Sequence, residues 1–167
     1  MTALPRIVLL LVLALAAGGC GLLGLGGRAP EAPPPEPEVP AGPTGPATVE
    51  LAGTANMNAG GNAARVYVYP LSSDATFLST PVQVFWEDPA AALGSDIVGA
   101  TRDATVRPGD TTTLSDIALG TAAFLGLAVD LREPEGTSWR AVVPASSARG
   151  QTLVVTVDEK GLRVAPR

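Results

Sequence analysis

RVYVYPL, residues 65 to 71, alternates side chains with a period of two and is built from β-branched and aromatic residues. That pattern predicts a half-buried strand rather than a helix, whose apolar positions would recur every three or four residues. The same alternation recurs to either side. ATVELAG (47 to 53) precedes it, and TRDATVR (101 to 107), TTTLSDIAL (111 to 119), AFLGLAVDLR (123 to 132), SWRAVVPAS (138 to 146), QTLVVTVDE (151 to 159) and GLRVAP (161 to 166) follow. The separators carry turn chemistry. Pro108-Gly109 fits the centre of a type II turn, and Asp158-Glu159-Lys160-Gly161 fits a hairpin loop with its glycine in a left-handed position.

One stretch breaks the β pattern. In EDPAAALGSD (87 to 96), Asp88 is placed to cap a helix, Pro89 fits its first position, three alanines favour it and Gly94 can end it. The apolar residues Val82, Val84, Phe85 and Trp86 just before it are expected to pack on a sheet, and Trp86 and Trp139 are expected in the core. The fold class is therefore all-β: about eight short antiparallel strands with a short helical insertion, forming a β-sandwich, with a closed barrel as the alternative.

The domain occupies residues 47–167, a length suited to one core. What precedes it does not read as folded. From Arg28 to Pro46 the chain has eight prolines in 19 residues and nothing larger than Val39 to bury, so it is expected to be an extended tether. At about 3.1 Å per residue it reaches up to ~60 Å.

Further upstream, Arg6 is followed by an uninterrupted apolar run from Ile7 to Ala17, then Gly18, Gly19 and Cys20. This is the layout of a secretory signal, with a run too short for the ~20 residues a transmembrane helix needs. Ala17-Gly18-Gly19-Cys20 resembles the bacterial lipobox. Residues 1–19 are then a lipoprotein signal peptide, and 20–46 are a lipidated N-terminus and Pro-rich tether. Cys20 is the lipidation site, and its acyl chains would hold the chain stably at a membrane. Gly21, not Asp, follows it, which by resemblance to the enteric sorting rule implies the outer membrane, periplasmic face.

The composition narrows the chemistry. The formal net charge is −5, arginines are scattered singly and there is no basic patch, so no nucleic acid partner is expected. Histidine is absent and the one cysteine is committed to lipid, leaving no soft-ligand metal site and no cofactor to expect. Without histidine, a serine nucleophile would depend on Lys160, which sits in a turn. Glu87/Asp88 and Glu133/Glu135 lie in polar segments and read as solvated. No enzyme is expected.

Several features, in order, carry a resemblance. They are Asn58 and Gly61 in the first loop, Tyr69-Pro70-Leu71, Phe77, Phe85 and Trp86, Leu93-Gly94-Ser95-Asp96, Pro108-Gly109-Asp110, Leu131-Arg132 and Trp139-Arg140. With the lipobox and tether, this order resembles the TssJ family, outer-membrane lipoproteins of the type VI secretion system. The family often has Asn-Pro where this chain has Asn58-Ala59.

The resemblance implies a transthyretin-like β-sandwich. It also implies a function without catalysis, in which the lipoprotein docks the periplasmic C-terminal domain of the inner-membrane protein TssM. In the family, the loop between the first two strands makes that contact. Here this loop is TANMNAGGNAAR (54 to 65), giving Met57, Asn58, Ala59, Gly60, Gly61, Asn62 and Arg65 as the partner-binding residues. The alternative is a lipoprotein sandwich that binds a small molecule or glycan, with Tyr67, Tyr69 and Trp86 as stacking rings.

Overall fold

A computed structural model describes residues 44–167; the expected signal peptide, Cys20 and most of the expected tether lie outside the described residues. Among the described residues there are eight strands: β1 (Ala47–Gly53), β2 (Ala64–Leu71), β3 (Arg102–Val106), β4 (Thr111–Ile117), β5 (Phe124–Asp130), β6 (Arg140–Pro144), β7 (Thr152–Val157) and β8 (Leu162–Pro166). They form two four-stranded sheets, ordered β4-β1-β7-β8 and β3-β2-β5-β6. The architecture is a sandwich, not a closed barrel.

One expectation about pairing fails. β1 and β7 run parallel, from Thr48 opposite Thr152 to Gly53 opposite Val157, whereas every other strand pair is antiparallel. The cause is the crossing from β6: after Pro144 a single helical turn, Ala145–Ala148, carries the chain to the other sheet. It arrives at the end where β1 begins. There Gly150 N–H donates to Pro46 O and Thr48 N–H to Gln151 O, so β7 sets off beside β1 in the same direction.

The interior follows the period-two pattern. Val49 and Leu51 of β1, Leu153, Val155 and Val157 of β7, and Val66 and Val68 of β2 are all buried in one core. Opposite β2 in the ladder, Leu127 pairs with Val68 and Val129 with Val66, so both face inward with them. β5 departs from simple alternation, being buried without a break from Leu125 to Val129. Its large residues face the core, while Gly126 and Ala128 face the other way, beneath a cover of helices.

That cover is larger than the sequence suggested. Besides the expected helix Pro89–Leu93, there are short helices over Ala75–Ser79 and Val82–Glu87 and a 3-10 turn over Gly94–Asp96. Asp88 caps as expected, its Oδ1 accepting from Ala91 N–H at 3.0 Å, and Gly94 ends the helix at φ +51°. Val82–Glu87 was masked as a helix by its β-branched and aromatic content, which local propensity assigns to strands. Packing overrides that preference, because the helical turn drops Phe85 onto the outer face of the second sheet, where it is fully buried.

Six rings meet there. Phe85 lies 4.9 Å from both Trp86 and Trp139 and 5.6 Å from Phe77; Tyr69 contacts both phenylalanines, and Tyr67 lies 5.5 Å from Trp86. Trp139 is buried as expected, while Trp86 stays half-buried at the margin. Gly126 makes room for the cluster: a Cβ there would come within 2.8 Å of Leu71 Cδ1 and 3.4 Å of the Phe77 ring. Burial also holds the Tyr69 phenol protonated well above the usual tyrosine range.

Arg140 fastens the helices to the sheet. Its guanidinium donates to the carbonyl oxygens of Phe77, Leu78 and Thr80, the otherwise unpaired C-terminal carbonyls of the first short helix, and stacks 4.7 Å from the Trp139 ring. A flat, five-donor cation suits that fork; a lysine cannot reach all three.

The two turns behave differently. Asp110 N–H donates to Arg107 O and Gly109 has φ +76°, as a type II turn requires. Gly161 is not left-handed, contrary to expectation. The Asp158 carboxylate closes that turn by accepting from the N–H groups of Lys160 and Gly161, both at 3.0 Å. Glycine is needed instead because a Cβ would meet Ser138 Cβ and O at 2.7 Å.

Arg140→Met should strand three carbonyls under the cover while leaving the first sheet intact. Hydrogen exchange is expected to show amides of residues 75–93 losing about 2 kcal/mol of protection, with those of β1 and β7 unchanged, and Arg140→Lys falling between.

Candidate functional site

The loop joining β1 to β2 begins with a close approach. Gly53 admits Met57 against the strand, since a Cβ at Gly53 would sit 2.4 Å from Met57 Sδ. Met57 is fully buried and serves as the loop's hydrophobic anchor. The next residues turn the wrong way for L-amino acids: Asn58 (φ 49°, ψ 65°), Ala59 (57°, 60°) and Gly60 (87°, 37°) form one turn of left-handed helix, and Gly61 follows at φ 93°.

Glycine makes such a turn freely and asparagine with little penalty. Alanine does not, and its Cβ clash costs roughly 1–2 kcal/mol. Proline, with φ fixed near −65°, could not occupy position 59 in this conformation.

Two asparagines hold the turn. Asn62 Nδ2 donates to the carbonyl oxygens of Asn58 (3.0 Å) and Ala59 (2.9 Å), and Asn62 N–H donates to Met57 O at 3.1 Å. Asn58 points inward and is 3% exposed. Its Nδ2 donates to Ala63 O at 2.8 Å, and its Oδ1 accepts from Arg132 N–H at 2.8 Å.

The backbone ties the turn to a second neighbour. Asn58 N–H donates to Asp158 O and Ala59 N–H to Glu159 O. The loop after β1, the segment after β5 and the turn between β7 and β8 are thus one hydrogen-bonded unit at one end of the sandwich. The turn between β3 and β4 joins it through Gly109 N–H, which donates to Gly53 O.

A shallow cleft lies in this unit, lined by Ala59, Glu133, Pro134, Glu135, Glu159 and Lys160. Lys160 Nζ lies 2.7 Å from Glu135 Oε1, and that carboxylate raises the lysine's pKa. Both side chains are solvated, so the pair adds little stability. Neither Glu133/Glu135 nor Lys160 is buried in a way that would prepare it for acid–base work. No group of three metal-ligating side chains occurs among the described residues.

The residues singled out from the sequence separate into three sets. Met57 and Asn58 are interior. Ala59, Gly61 and Asn62 are half-buried with Gly60 exposed between them, making the tip of the turn. Arg65 stands apart on β2, exposed on the outer face, with its Nε 2.7 Å from Asp103 Oδ2 and its guanidinium 5.4 Å from the Tyr67 ring. Tyr67, Tyr69 and Trp86 pack against each other and the phenylalanines, and none lines the cleft. The segments Arg132–Glu135 and Asp158–Lys160 were not legible as part of this end, because nothing local in them points to the first loop.

Fold and loop end together define a class: a small two-sheet β-sandwich carrying a hydrogen-bonded loop cluster at one end. The model of the family of type VI secretion lipoproteins (VasD, EvfM, TssJ) matches residues 46–160, more than half of the chain. The chain belongs to this family: it is a lipoprotein of the type VI secretion system and not an enzyme.

Solved structures agree on the fold. The type VI lipoprotein TssJ1 from Pseudomonas aeruginosa superimposes with a TM-score of 0.64 at 20% identity, over 75% of this chain and 98% of that one. A chain in the structure of the type VI secretion TssM C-terminal domain from EAEC gives 0.64 at 21% identity, over 74% and 99%. A chain of a type VI membrane complex gives 0.66 at 20% identity, over 74% and 99%. At these identities the likeness is one of fold. Among curated proteins, none matches the sequence significantly.

The strain at residue 59 gives a direct check. Ala59→Gly should raise the unfolding free energy by up to about 1 kcal/mol, because relief of the left-handed strain outweighs the extra freedom of glycine in the unfolded chain. Denaturant titration reads this as a higher midpoint at unchanged slope; a lower midpoint would mean that the left-handed turn is not the ground state.

Proposed function

We propose that this lipoprotein docks the periplasmic C-terminal domain of a TssM-like inner-membrane protein and anchors the type VI membrane complex at the outer membrane. Lipid on Cys20 holds the chain on the periplasmic face, residues 20–46 form the tether, and residues 47–167 form the docking domain. The tip Ala59-Gly60-Gly61-Asn62 makes the contact, Met57 and Asn58 support it from beneath, and Arg65, apart from the tip on β2, offers a separate charged contact.

One observation carries this reading. The tether enters at Ala47, whereas the loop cluster begins at Thr54, at the far end of the same strand. At about 3.3 Å per residue, β1 puts the cluster roughly 20 Å from the point of entry. The cluster is therefore well separated from the point where the tether enters, which leaves it clear for a partner. Family membership supports the reading, as does the presence of chains of this fold in a type VI membrane complex and in a structure of a TssM C-terminal domain.

Two measurements test it. Cys20→Ser should move the chain from the membrane fraction to the soluble fraction; retention in the membrane would remove the lipid anchor from the proposal. In a binding titration, the mature lipoprotein in detergent should saturate the periplasmic C-terminal domain of the TssM-like protein from the same cell. Gly60→Asn adds a side chain in open space, and asparagine is the side chain least strained at a positive φ, so the folded fraction, checked by circular dichroism, should remain high. Affinity is expected to fall at least tenfold. Unchanged affinity would place the contact elsewhere.

A further inference from the structure

Asn58 is the one residue of the docking loop that has a polar side chain turned into the protein. The amide uses both ends across different segments: Oδ1 takes the Arg132 N–H from the loop after β5, and Nδ2 reaches Ala63 O, where β2 is about to begin. Its own backbone N–H goes to Asp158 O of a third segment. A side chain 3% exposed has no surface to offer a partner. An amide is the group that fits, because one neighbour is a donor and the other an acceptor; a carboxylate would face the Ala63 carbonyl with like charge, and a leucine would leave both unpaired.

The backbone around it needs such a brace. Three consecutive residues in left-handed conformation are not a state that a free chain holds, and the Ala59 member is strained. Glycines at 60 and 61 make the alternatives numerous. Without cross-links to neighbouring segments, this stretch would spend most of its time in other conformations, and a partner would have to order it on binding.

We propose that Asn58 is a positioning residue for docking: it freezes the left-handed turn Asn58–Gly61 before the partner arrives, so that Ala59–Asn62 binds as a preformed surface. This rests on the docking reading above. The physical consequence is a lower entropic cost of association, since the loop's ordering is completed in the free protein.

The test compares wild type with Asn58→Gly, in the mature lipoprotein in detergent. Glycine keeps φ of +49° accessible and deletes only the side-chain bonds. In the free Asn58→Gly protein, amides of residues 59–62 and of Arg132 should exchange at least tenfold faster than in wild type, with those of β1, β5 and β7 unchanged. Affinity for the TssM-like C-terminal domain should weaken about tenfold, with the loss in binding entropy, and loop protection in the complex should return to the wild-type level.

Weaker binding with unchanged exchange would mean that Asn58 is a contact after all and overturn the proposal. So would faster exchange with unchanged affinity, or global loss of stability with unchanged affinity of the folded molecule. If wild type itself fails to bind, the docking reading falls, and the exchange comparison alone still decides whether Asn58 braces the turn.

Discussion

Everything in this domain depends on the second sheet being buried on both faces. A sandwich ordinarily leaves the outer face of each sheet in water. Here β2 and β5 carry Tyr69, Leu71, Gly126 and Ala128 on a face that helices cover, and six of the chain's seven aromatic residues gather there. The arrangement works because Gly126 leaves space for Phe77 and because Arg140 satisfies the carbonyls that the short helix would otherwise bury unpaired. The three rings that the alternative reading would use for stacking, Tyr67, Tyr69 and Trp86, are packed on one another and on the phenylalanines.

The loop end is built on the opposite principle. It has little apolar burial beyond Met57 and is held by hydrogen bonds between segments distant in sequence: Asn58 to Arg132, Asn58 to Asp158, Ala59 to Glu159 and Gly53 to the turn at Gly109. Each bond is modest alone, about 1 kcal/mol net, yet together they keep a strained turn in one conformation. Flexible residues are used to make a rigid feature: glycine and asparagine follow that backbone path at little cost, Ala59 follows it with strain, and cross-segment bonds hold it there.

These two halves have a division of labour that suits a family of secretion lipoproteins. The parallel pairing of β1 with β7 fixes the strand that leads from the tether to the loop cluster in the middle of its sheet, between β4 and β7. β1 is therefore a central strand bonded on both sides, the geometry in which many ladder bonds must yield at once under a pull along it. The acidic and lysine side chains beside the turn, Glu133, Glu135, Glu159 and Lys160, are solvated, with Lys160 paired to Glu135, and form its rim.

How much of this was legible in the sequence varies with the range of the interaction responsible. All eight strands, the Asp88 cap, the end of the helix at Gly94 and the type II turn at Pro108-Gly109 were readable, because each is set by side chains within a few residues of one another. Resemblance in the order of motifs reached the family by the same local signals. What the sequence left open was decided by contacts between distant segments. Val82–Glu87 is helical because Phe85 finds a ring cluster assembled from β2, the Ala75–Ser79 helix and Trp139 just before β6, against its local preference. Gly161 is required by Ser138, not by its own φ. Among the asparagines of the first loop, nothing local distinguishes Asn58, which turns inward, from Asn62, which caps the turn at its surface. The parallel β1–β7 pair likewise depends on where the chain re-enters after β6. Periodicity and turn chemistry fix which segments are strands, whereas burial of a particular side chain exists only once segments far apart in sequence have met.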